Sequence, residues 1–378
     1  MTDRPLTILQ VLPKLDTGGA ERVVIETADA VQFSGHKAII ACEGGSLTQA
    51  ALRTGAEIIT LPLATKSPLS LRLNARRLEK LIRERKVDLV HAHSRAPAWS
   101  AFMATQRTKT PFVTTYHGTY SETVPFKRSY NAVMAKGDRV IAVSEFIAGL
   151  IRDRYKLPEE KLRTILGGVD TLRFDPAAVL GDRVARLGGD WRVTMGEPVI
   201  LLPGRLTSWK GQKLLISALA AMRHKDALAV LVGGDQGRSQ YQQSLIAHAE
   251  SLGVAGRLRL VGHYEDMPAA LMMADVVVNA STEPEAFGRT VVEAQAMGRI
   301  VVAADHGGAR ETVRPDITGF LFPPGDSAAL AAALDRALDM RPDDRVVWGR
   351  VARAHVLHHY TIETMQRAVL DVYAELLM

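Results

Sequence analysis

Short, continuous runs of apolar residues alternate with segments of helical periodicity along most of the chain. A run that is apolar throughout, rather than at every second position, is typical of a strand buried on both faces of a sheet. Helical segments between such runs supply the crossovers that parallel pairing requires. The predicted strands form two series, 6–12, 38–41, 58–61, 87–92, 112–116 and 139–143, then 199–202, 227–232, 258–261, 276–279, 300–303 and 319–322.

The two series predict an α/β protein of two domains, each with a doubly wound parallel sheet. Residues 175–198 are rich in glycine and arginine and show no long period, so the hinge is predicted there, between an N-terminal domain at 1–180 and a C-terminal domain at 181–361. An amphipathic helix at 362–378 is expected to pack back on the N-terminal domain. Side by side, such domains would bring the carboxyl ends of both sheets to one central cleft, where ligands of these sheets bind.

Composition narrows the class of protein. The chain has 378 residues, of which 47% are hydrophobic and 23% charged, so it can bury large cores and is not a disordered chain. Cys42 is the single cysteine, which excludes an intrachain disulfide and suits a reducing compartment. No apolar run approaches the roughly 18 residues that cross a bilayer, and Asp3 and Arg4 lead directly into the first predicted strand. We therefore expect neither anchor nor signal peptide, and a cytoplasmic location.

The positive charge lies in the first half of the chain. The net charge is +6 overall, whereas residues 1–185 carry 27 basic and 19 acidic residues, a balance of +8. Residues 66–86 hold eight of the cations and two glutamates, and their leucines recur at helical spacing, which predicts a basic amphipathic helix. A solvated helix face or attraction to an anionic membrane surface would each explain it. Nucleic acid is disfavoured, because no aromatic-rich stacking segment or recognised binding motif accompanies the charge.

Glycines follow the first predicted strand, where Gly18 and Gly19 open a helix. Free amides at a helix start favour phosphate and glycine permits close approach, although a tight strand-to-helix turn would use the same residues. The chain contains neither a Gly-x-Gly nor a Gly-Lys pair, so the dinucleotide and Walker motifs are both missing.

The second half contains two further candidate segments, each after a predicted strand. Arg205 and Lys210 could clamp a diphosphate, the first as a planar fork and the second as a point charge. Glu285 lies in a loop and Glu293 in the helix that this loop opens, a spacing that suits two separate hydroxyl clusters better than one shared proton. Alone, each of these side chains would be an ordinary surface charge or helix cap.

Together these segments resemble the retaining glycosyltransferases of family 4, which have the GT-B architecture of two Rossmann-like domains facing a cleft. The resemblance covers nearly the whole chain and depends on the order of its motifs. These are Gly18-Gly19-Ala20-Glu21, Val90-His91-Ala92-His93, Thr115-Tyr116-His117-Gly118, Ala142-Val143-Ser144-Glu145, Gly168-Val169-Asp170, Gly204-Arg205-Leu206 through Lys210-Gly211, and Glu285 with Glu293.

The resemblance implies a role for each matching residue of the second half. Arg205 and Lys210 match the pair that neutralises the donor diphosphate, in place of a metal. Glu293 matches the acid that holds the ribose, and Glu285 the one that contacts the donor sugar. The remaining donor-binding set is Phe287, Gly288, Arg289 and Thr290, the last three offering backbone amides at the helix start.

In the first half, Gly18 and Gly19 match the loop that closes on the phosphates and the acceptor. His117 matches the histidine placed against the donor sugar, although a hydrogen-bonded core histidine would occupy such a position as well. His91 and His93 are candidate acceptor contacts.

The expected reaction is transfer of a sugar from a nucleoside diphosphate sugar, UDP or GDP, to a membrane-associated glycolipid or saccharide such as lipopolysaccharide core. No cofactor, metal or nucleic acid is expected, and the sequence implies no particular protein partner, whereas an anionic membrane surface is an expected partner. A sugar-nucleotide epimerase or a phosphorylase-like enzyme of the same architecture is an alternative, although phosphorylases need a pyridoxal lysine and are usually longer. A non-catalytic basic membrane-binding protein would leave Arg205, Lys210, Glu285 and Glu293 unexplained.

Overall fold

The computed structural model describes residues 4–122, 124, 126–235, 237 and 239–377. Asp3, which precedes the first predicted strand, lies outside them. The chain divides into two units: the first runs to Gly167 and resumes at Ile362, and the second is Gly168–Thr361. Among the described residues, no helix is both long enough and apolar enough to pass through a bilayer.

The first unit is built on a parallel sheet. Its described part contains seven strands in the order β3-β2-β1-β4-β5-β6-β7. The strands are β1 (Thr7–Val11), β2 (Lys37–Cys42), β3 (Glu57–Thr60), β4 (Leu89–Ala92), β5 (Phe112–Tyr116), β6 (Arg139–Ala142) and β7 (Leu162–Thr164). Its helices are α1 (Gly19–Phe33), α2 (Thr48–Arg53), α3 (Pro68–Arg85), α4 (Arg95–Thr108), α5 (Lys127–Asn131), α6 (Glu145–Tyr155) and, at the end of the chain, α15 (Ile362–Leu377).

The second unit repeats this plan. Its sheet, within the described residues, has six parallel strands in the order β10-β9-β8-β11-β12-β13. The strands are β8 (Val199–Pro203), β9 (Leu228–Val232), β10 (Leu258–Gly262), β11 (Val276–Asn279), β12 (Ile300–Ala304) and β13 (Phe320–Phe322). The helices are α7 (Gly181–Asp190), α8 (Gln212–Ala221), α9 (Ser239–Ser251), α10 (Met267–Met273), α11 (Arg289–Ala296), α12 (Ala309–Thr312), α13 (Ser327–Asp339) and α14 (Pro342–His359).

Each sheet has the Rossmann strand order, in which successive strands are added first on one side of the first strand and then on the other. The reversal falls between β1 and β4 in the first unit and between β8 and β11 in the second. Every residue of β1, β5, β8, β9 and β12 is buried, as expected of strands with helices on both faces. The predicted fold class, α/β with two doubly wound parallel sheets, is confirmed.

The boundary between the units differs from the predicted hinge. The first unit ends at Gly167, before the predicted boundary at residue 180, because Val169 already pairs with Thr361 and donates its N–H to the Tyr360 carbonyl at 2.9 Å. The glycine-rich stretch predicted as the hinge contains α7, whose weak intrinsic propensity hides it in the sequence. An ion pair of 2.6 Å from Arg183 to Asp266 joins α7 to α10.

Two further elements show where periodicity is informative. The short strand β7 was not predicted, since its sequence Leu162-Arg163-Thr164 is not an apolar run. Helix α15 packs against α1 in the core of the first unit and buries Met365, Val369, Val372 and Tyr373. It therefore belongs to the first unit and packs with its apolar face inward, as its amphipathic pattern predicts.

Candidate active site

In the first unit, a loop joins β1 to α1 at the carboxyl edge of the sheet. Gly18 precedes the helix in an extended conformation that any residue can adopt, and Gly19 is the first helical residue. A Cβ atom added to Gly19 would meet no atom within 4 Å. The chain's own packing therefore does not require glycine at position 19, and the space beside Gly19 is open, whereas the Glu21 carboxylate lies against Gly18.

A cavity of about 190 Å³ lies beside that helix start. Its walls come from the ends of β1, β4 and β5, and they include Glu21, His93, His117 and Tyr120. His93 is 2% exposed, whereas His117 is half-buried. Two predicted site histidines are thus brought together at one cavity, at the point where the strand order reverses.

The histidines are linked by direct hydrogen bonds. His93 Nδ1 lies 3.0 Å from His117 Nε2, and His93 Nε2 lies 2.9 Å from Oε1 of Gln10 in β1. Burial lowers the pKa of His117 to about 4 and, together with the neighbouring histidines, lowers that of His93 well below its ordinary value. Both rings are therefore neutral at pH 7.

His91 does not belong to the cavity. It is 1% exposed, and its two ring nitrogens lie 2.7 Å from the Tyr373 hydroxyl and 2.7 Å from Thr115 Oγ1. Burial lowers its pKa to about 3. The expected contact of His91 with an acceptor is therefore corrected: both of its ring nitrogens are used inside the unit, where His91 ties α15 to the sheet. The polar acceptor contact expected of His93 is corrected on the same ground, because its ring nitrogens bond to His117 and Gln10.

In the second unit, Lys210 and Glu285 form an ion pair that is largely shielded from solvent. Lys210 ends a short 3₁₀ turn after β8, and Glu285 lies in the loop after β11, the strand next to β8. Lys210 Nζ is 2.8 Å from Glu285 Oε1, and the two side chains are 13% and 15% exposed. Lys210 Nζ also lies 4.5 Å from the centre of the Trp209 ring. The sheet's reversal point thus holds a cation and an acid that the sequence assigned to neighbouring parts of a donor.

Glu285 is ionised in this environment. Burial would raise the pKa of its carboxyl, but the charge of Lys210 and hydrogen bonds from Lys210, Ser281 and Asn279 outweigh burial and lower the pKa. Ser281 Oγ donates directly to Glu285 Oε1. Asn279 and Ser281 were not predicted as site residues. Their position at and just after the end of β11 is the one signal in the sequence that could have found them.

Two glycines hold the Glu285 loop in place. A Cβ atom on Gly307 would come to 2.5 Å of the Glu285 carbonyl oxygen, and one on Gly308 to 2.5 Å of the Phe287 carbonyl oxygen. Gly308 also donates its N–H to the Glu285 carbonyl at 2.9 Å. The turn after β12 therefore needs glycine in order to support the loop that carries the acid.

Helix α11 begins at the end of this loop. Gly288 precedes it with φ of 83°, a left-handed conformation that favours glycine, and Thr290 lies half-buried in its first turn. Arg289 Nε donates to Glu293 Oε1 at 3.3 Å, one helical turn further on. Glu285 and Glu293 thus have different cationic neighbours, in agreement with separate roles.

Two of the residues predicted to bind the donor differ from the others in exposure, since Phe287 is buried and Arg205 is exposed. Phe287 is 8% exposed and packs edge-on against Tyr360, with ring centres 5.7 Å apart, so its ring supports the loop and does not present a donor contact. This corrects its place in the donor-binding set. Arg205 is exposed, and its backbone is fixed by Gln212, whose Nε2 donates to the Arg205 carbonyl at 2.9 Å. In the described part of the chain, no group of three His, Cys, Asp or Glu residues could hold a metal.

Comparison with known proteins places this chain among glycosyltransferases. Residues 17–173 match the model of Glycosyltransferase Family 4, and residues 189–355 that of Glycosyl transferases group 1. The chain is 32% identical to the D-inositol 3-phosphate glycosyltransferase of Salinispora tropica over 76% of this chain and 64% of that protein, and so spans somewhat less than two thirds of that relative.

Solved structures agree with this placement. A glycosyltransferase from Rickettsia africae is 35% identical, covers 99% of both chains and superposes with a TM-score of 0.91. Anabaena HepE, solved with UDP-glucose, shares the fold at 24% identity and a TM-score of 0.86, covering 98% of this chain and 100% of its own. WaaG, a glycosyltransferase involved in lipopolysaccharide biosynthesis, shares it at 16% identity and a TM-score of 0.77, covering 97% and 99%.

The fold and the matching models define the class as GT-B glycosyltransferases. Within that class, the chain belongs to the family 4 glycosyltransferases.

Proposed function

We propose that this chain is a retaining, metal-independent hexosyltransferase that moves a sugar from a nucleoside diphosphate sugar to a membrane-associated glycolipid or saccharide. The observation that carries the proposal is the ion pair between Lys210 and Glu285, at the reversal point of the second unit's sheet. Ligands of such sheets bind at this point, and here a cation suited to phosphate lies beside an acid suited to hydroxyl groups.

The donor roles follow from the surroundings of each side chain. Lys210 and the exposed Arg205 bind the diphosphate and stabilise the negative charge of the leaving group, a preorganised electrostatic effect. Glu293, one turn inside α11, binds the ribose, and Glu285 binds the sugar hydroxyls. The backbone amides of Gly288, Arg289 and Thr290 add to phosphate and sugar binding at the helix start. HepE is described in complex with UDP-glucose, which favours UDP over GDP as the nucleotide.

In the first unit, the helix start at Gly18 and Gly19 receives the phosphates and the acceptor, and His117 contacts the donor sugar. We assign no enzymic nucleophile, because Glu285 is already engaged by Lys210 and Ser281. The leaving phosphate takes the acceptor's proton, so that departure and attack occur on one face of the sugar and the anomeric configuration is retained. The chain's contribution is positioning and charge stabilisation.

The acceptor proposal depends on the surface of α3. The buried face of this helix includes Leu71, Leu78 and Ile82, as the sequence pattern predicts. Its exposed face carries Leu69, which is 77% exposed, beside Arg72, and residues 68–78 contain no acidic residue. Apolar groups beside cations suit insertion into anionic headgroups.

A second exposed apolar group supports the same proposal: Phe126 is 87% exposed and precedes Lys127 and Arg128. We place the protein on the inner face of the cytoplasmic membrane. The name of the Salinispora relative gives a small phosphorylated acceptor, and this is the competing outcome.

A panel of UDP, GDP and ADP sugars tested by thermal shift checks the donor claim. A ligand at 100 times its Kd stabilises the folded state by about 2.7 kcal/mol, which a melting curve detects. We expect one nucleotide series to stabilise the wild type and to lose its effect in Lys210→Met, whereas Lys213→Met, which removes an exposed lysine of α8, responds as the wild type does. Conversion of the nucleotide sugar without an acceptor would indicate an epimerase instead.

A further inference from the structure

The histidine pair at the cavity of the first unit continues into a longer chain of hydrogen bonds. Gln10 lies in β1, His93 follows β4 and His117 follows β5, so the three residues lie on neighbouring strands. Gln10 Nε2 donates to the Val24 carbonyl of α1 at 3.0 Å, and the next two links measure 2.9 Å and 3.0 Å. Gln10 is completely buried.

The donor and the acceptor of every hydrogen bond in this series follow from the first bond, that of Gln10 to Val24. Because the Gln10 amide group donates to Val24, its oxygen faces His93, and His93 Nε2 must carry a hydrogen in order to bond to it. In a neutral imidazole the other nitrogen is then an acceptor. His93 Nδ1 therefore accepts, and His117 Nε2 must be the donor across their 3.0 Å contact. His117 Nδ1 then carries no hydrogen and can act as an acceptor.

We propose that Gln10 and His93 are positioning residues that hold His117 in its Nε2–H tautomer, so that His117 Nδ1 accepts a hydrogen bond from a hydroxyl of the donor sugar. The sugar contact rests on the proposed function, whereas the tautomer is a property of the free protein. The series of hydrogen bonds ends at the Val24 carbonyl of α1, the helix that begins at Gly19.

Burial supports this arrangement. The lowered pKa values of His93 and His117 keep both rings neutral at pH 7. Each ring then has one donor and one acceptor nitrogen, as the series of hydrogen bonds requires. A ligating or catalytic imidazole is commonly oriented by the hydrogen bond that its other nitrogen makes. Here that bond reaches back through two further side chains to the backbone of α1.

Nitrogen-15 NMR of histidine-labelled free protein at pH 7.5 tests the tautomer without any donor or acceptor. Signals of the two rings are assigned from His93→Gln and His117→Gln. The inference predicts neutral Nε2–H rings at both positions. A Nδ1–H tautomer or an imidazolium at His117 would overturn it, whether or not the protein transfers sugar.

Gln10→Met tests the positioning role, and Gln366→Met is the matched control. Gln366 Nε2 also donates to a carbonyl of α1, that of Glu26 at 2.7 Å, but has no bond to the histidines. We expect Gln10→Met to give mixed tautomers at His117 and to lower kcat by about 10- to 100-fold, by analogy with the loss of an outer hydrogen-bond partner of a metal-ligating histidine. UDP affinity should change by less than about twofold, since UDP lacks the transferred sugar that His117 is proposed to contact.

The control should keep the tautomer and kcat of the wild type. A Gln10→Met protein with an unchanged His117 tautomer or unchanged kcat would contradict the positioning role. If the wild type shows the predicted tautomer but turns over no nucleotide sugar, the proposed function fails and the sugar contact with it. The NMR and turnover results therefore distinguish failure of the tautomer from failure of the reaction.

Discussion

Lys210 and Glu285 meet across two neighbouring strands of one sheet, with 2.8 Å between Nζ and Oε1, although they are distant in sequence. Each side chain offsets the cost of burying the other, because a charge removed from water needs a partner. A diphosphate that binds Lys210 would compete with Glu285 for it. Folding stability and donor binding therefore draw on the same contact.

Removal of Lys210 should destabilise the protein without unfolding it. Lys210→Met leaves the Glu285 carboxylate buried and without its partner, so we expect a loss of about 3 kcal/mol in the free energy of unfolding at pH 7. The double variant Lys210→Met with Glu285→Gln should recover most of it. Urea unfolding measures both, with Lys213→Met as the control. A single variant as stable as the wild type would contradict the buried pair.

The same variant should change the pH dependence of stability. In the wild type the lowered pKa of Glu285 stabilises the folded state above the ordinary carboxyl value of 4.5, and this contribution is lost as the pH falls through the lowered pKa. Without Lys210, burial should raise that pKa, so the deficit of Lys210→Met should shrink as the pH falls from 7 to 4. A deficit that is constant with pH would show that Glu285 is not the group responsible.

The two glutamates should separate in steady-state kinetics. Glu293→Gln is expected mainly to raise the donor KM, because the ribose is remote from bond breaking. Glu285→Gln should mainly lower kcat, because the sugar develops charge in the transition state. The reverse pattern would mean that their roles are exchanged.

Replacement of Gly19 by alanine should leave the fold stable but slow the reaction. Gly19→Ala adds a methyl group into open space at a helix start, so stability should be unchanged or slightly higher. Turnover should fall on the order of 10-fold or more, because the methyl group occupies space proposed for the phosphates. Gly149→Ala, within α6 and equally free of contacts within 4 Å, should be stabilised by about 0.5–1 kcal/mol and keep its activity. Equal activities would contradict the phosphate role.

Membrane binding should depend on one end of α3. Arg72→Gln with Arg76→Gln should weaken co-sedimentation with anionic vesicles by about 30-fold, at about 1 kcal/mol for each cation. Arg83→Gln with Arg85→Gln removes the same net charge, but these cations pair with Glu79 and Glu57 at 3.2 and 2.8 Å, so the effect should be much smaller. Binding should also fall as salt screens it. Equal binding to neutral vesicles would contradict the claim.

Continuous apolar runs predicted the strands because most strands of the two sheets are buried on both faces. Each of the twelve predicted strands overlaps an observed one, and the fold class followed from their continuity. The unit boundary was misplaced because Val169 pairs with Thr361, a contact between residues that are distant in sequence. The predicted hinge contains α7, which is held by tertiary contacts such as the ion pair of Arg183 with Asp266 and has a glycine-rich sequence of weak helix propensity.

Within the candidate site, the contacts of the predicted residues could not be derived from the sequence. His91 and His93 occupy similar positions in one strand-end motif, yet His91 is held by Tyr373 from the other end of the chain. Nothing local encodes that contact. For the same reason, the bond from His93 to Gln10 and the pairing of Lys210 with Glu285 became visible only once strand order was known.

Sugar transfer itself is the most direct test. The nucleotide sugar selected by thermal shift, carrying a radiolabelled sugar, is incubated with membrane extract and either the wild type, Lys210→Met or Lys213→Met. The account predicts that label enters the lipid fraction as nucleoside diphosphate is released, at a rate about 100-fold or more lower in Lys210→Met and unchanged in Lys213→Met. Equal transfer by Lys210→Met and the wild type, or consumption of the donor with no label transferred, would contradict it.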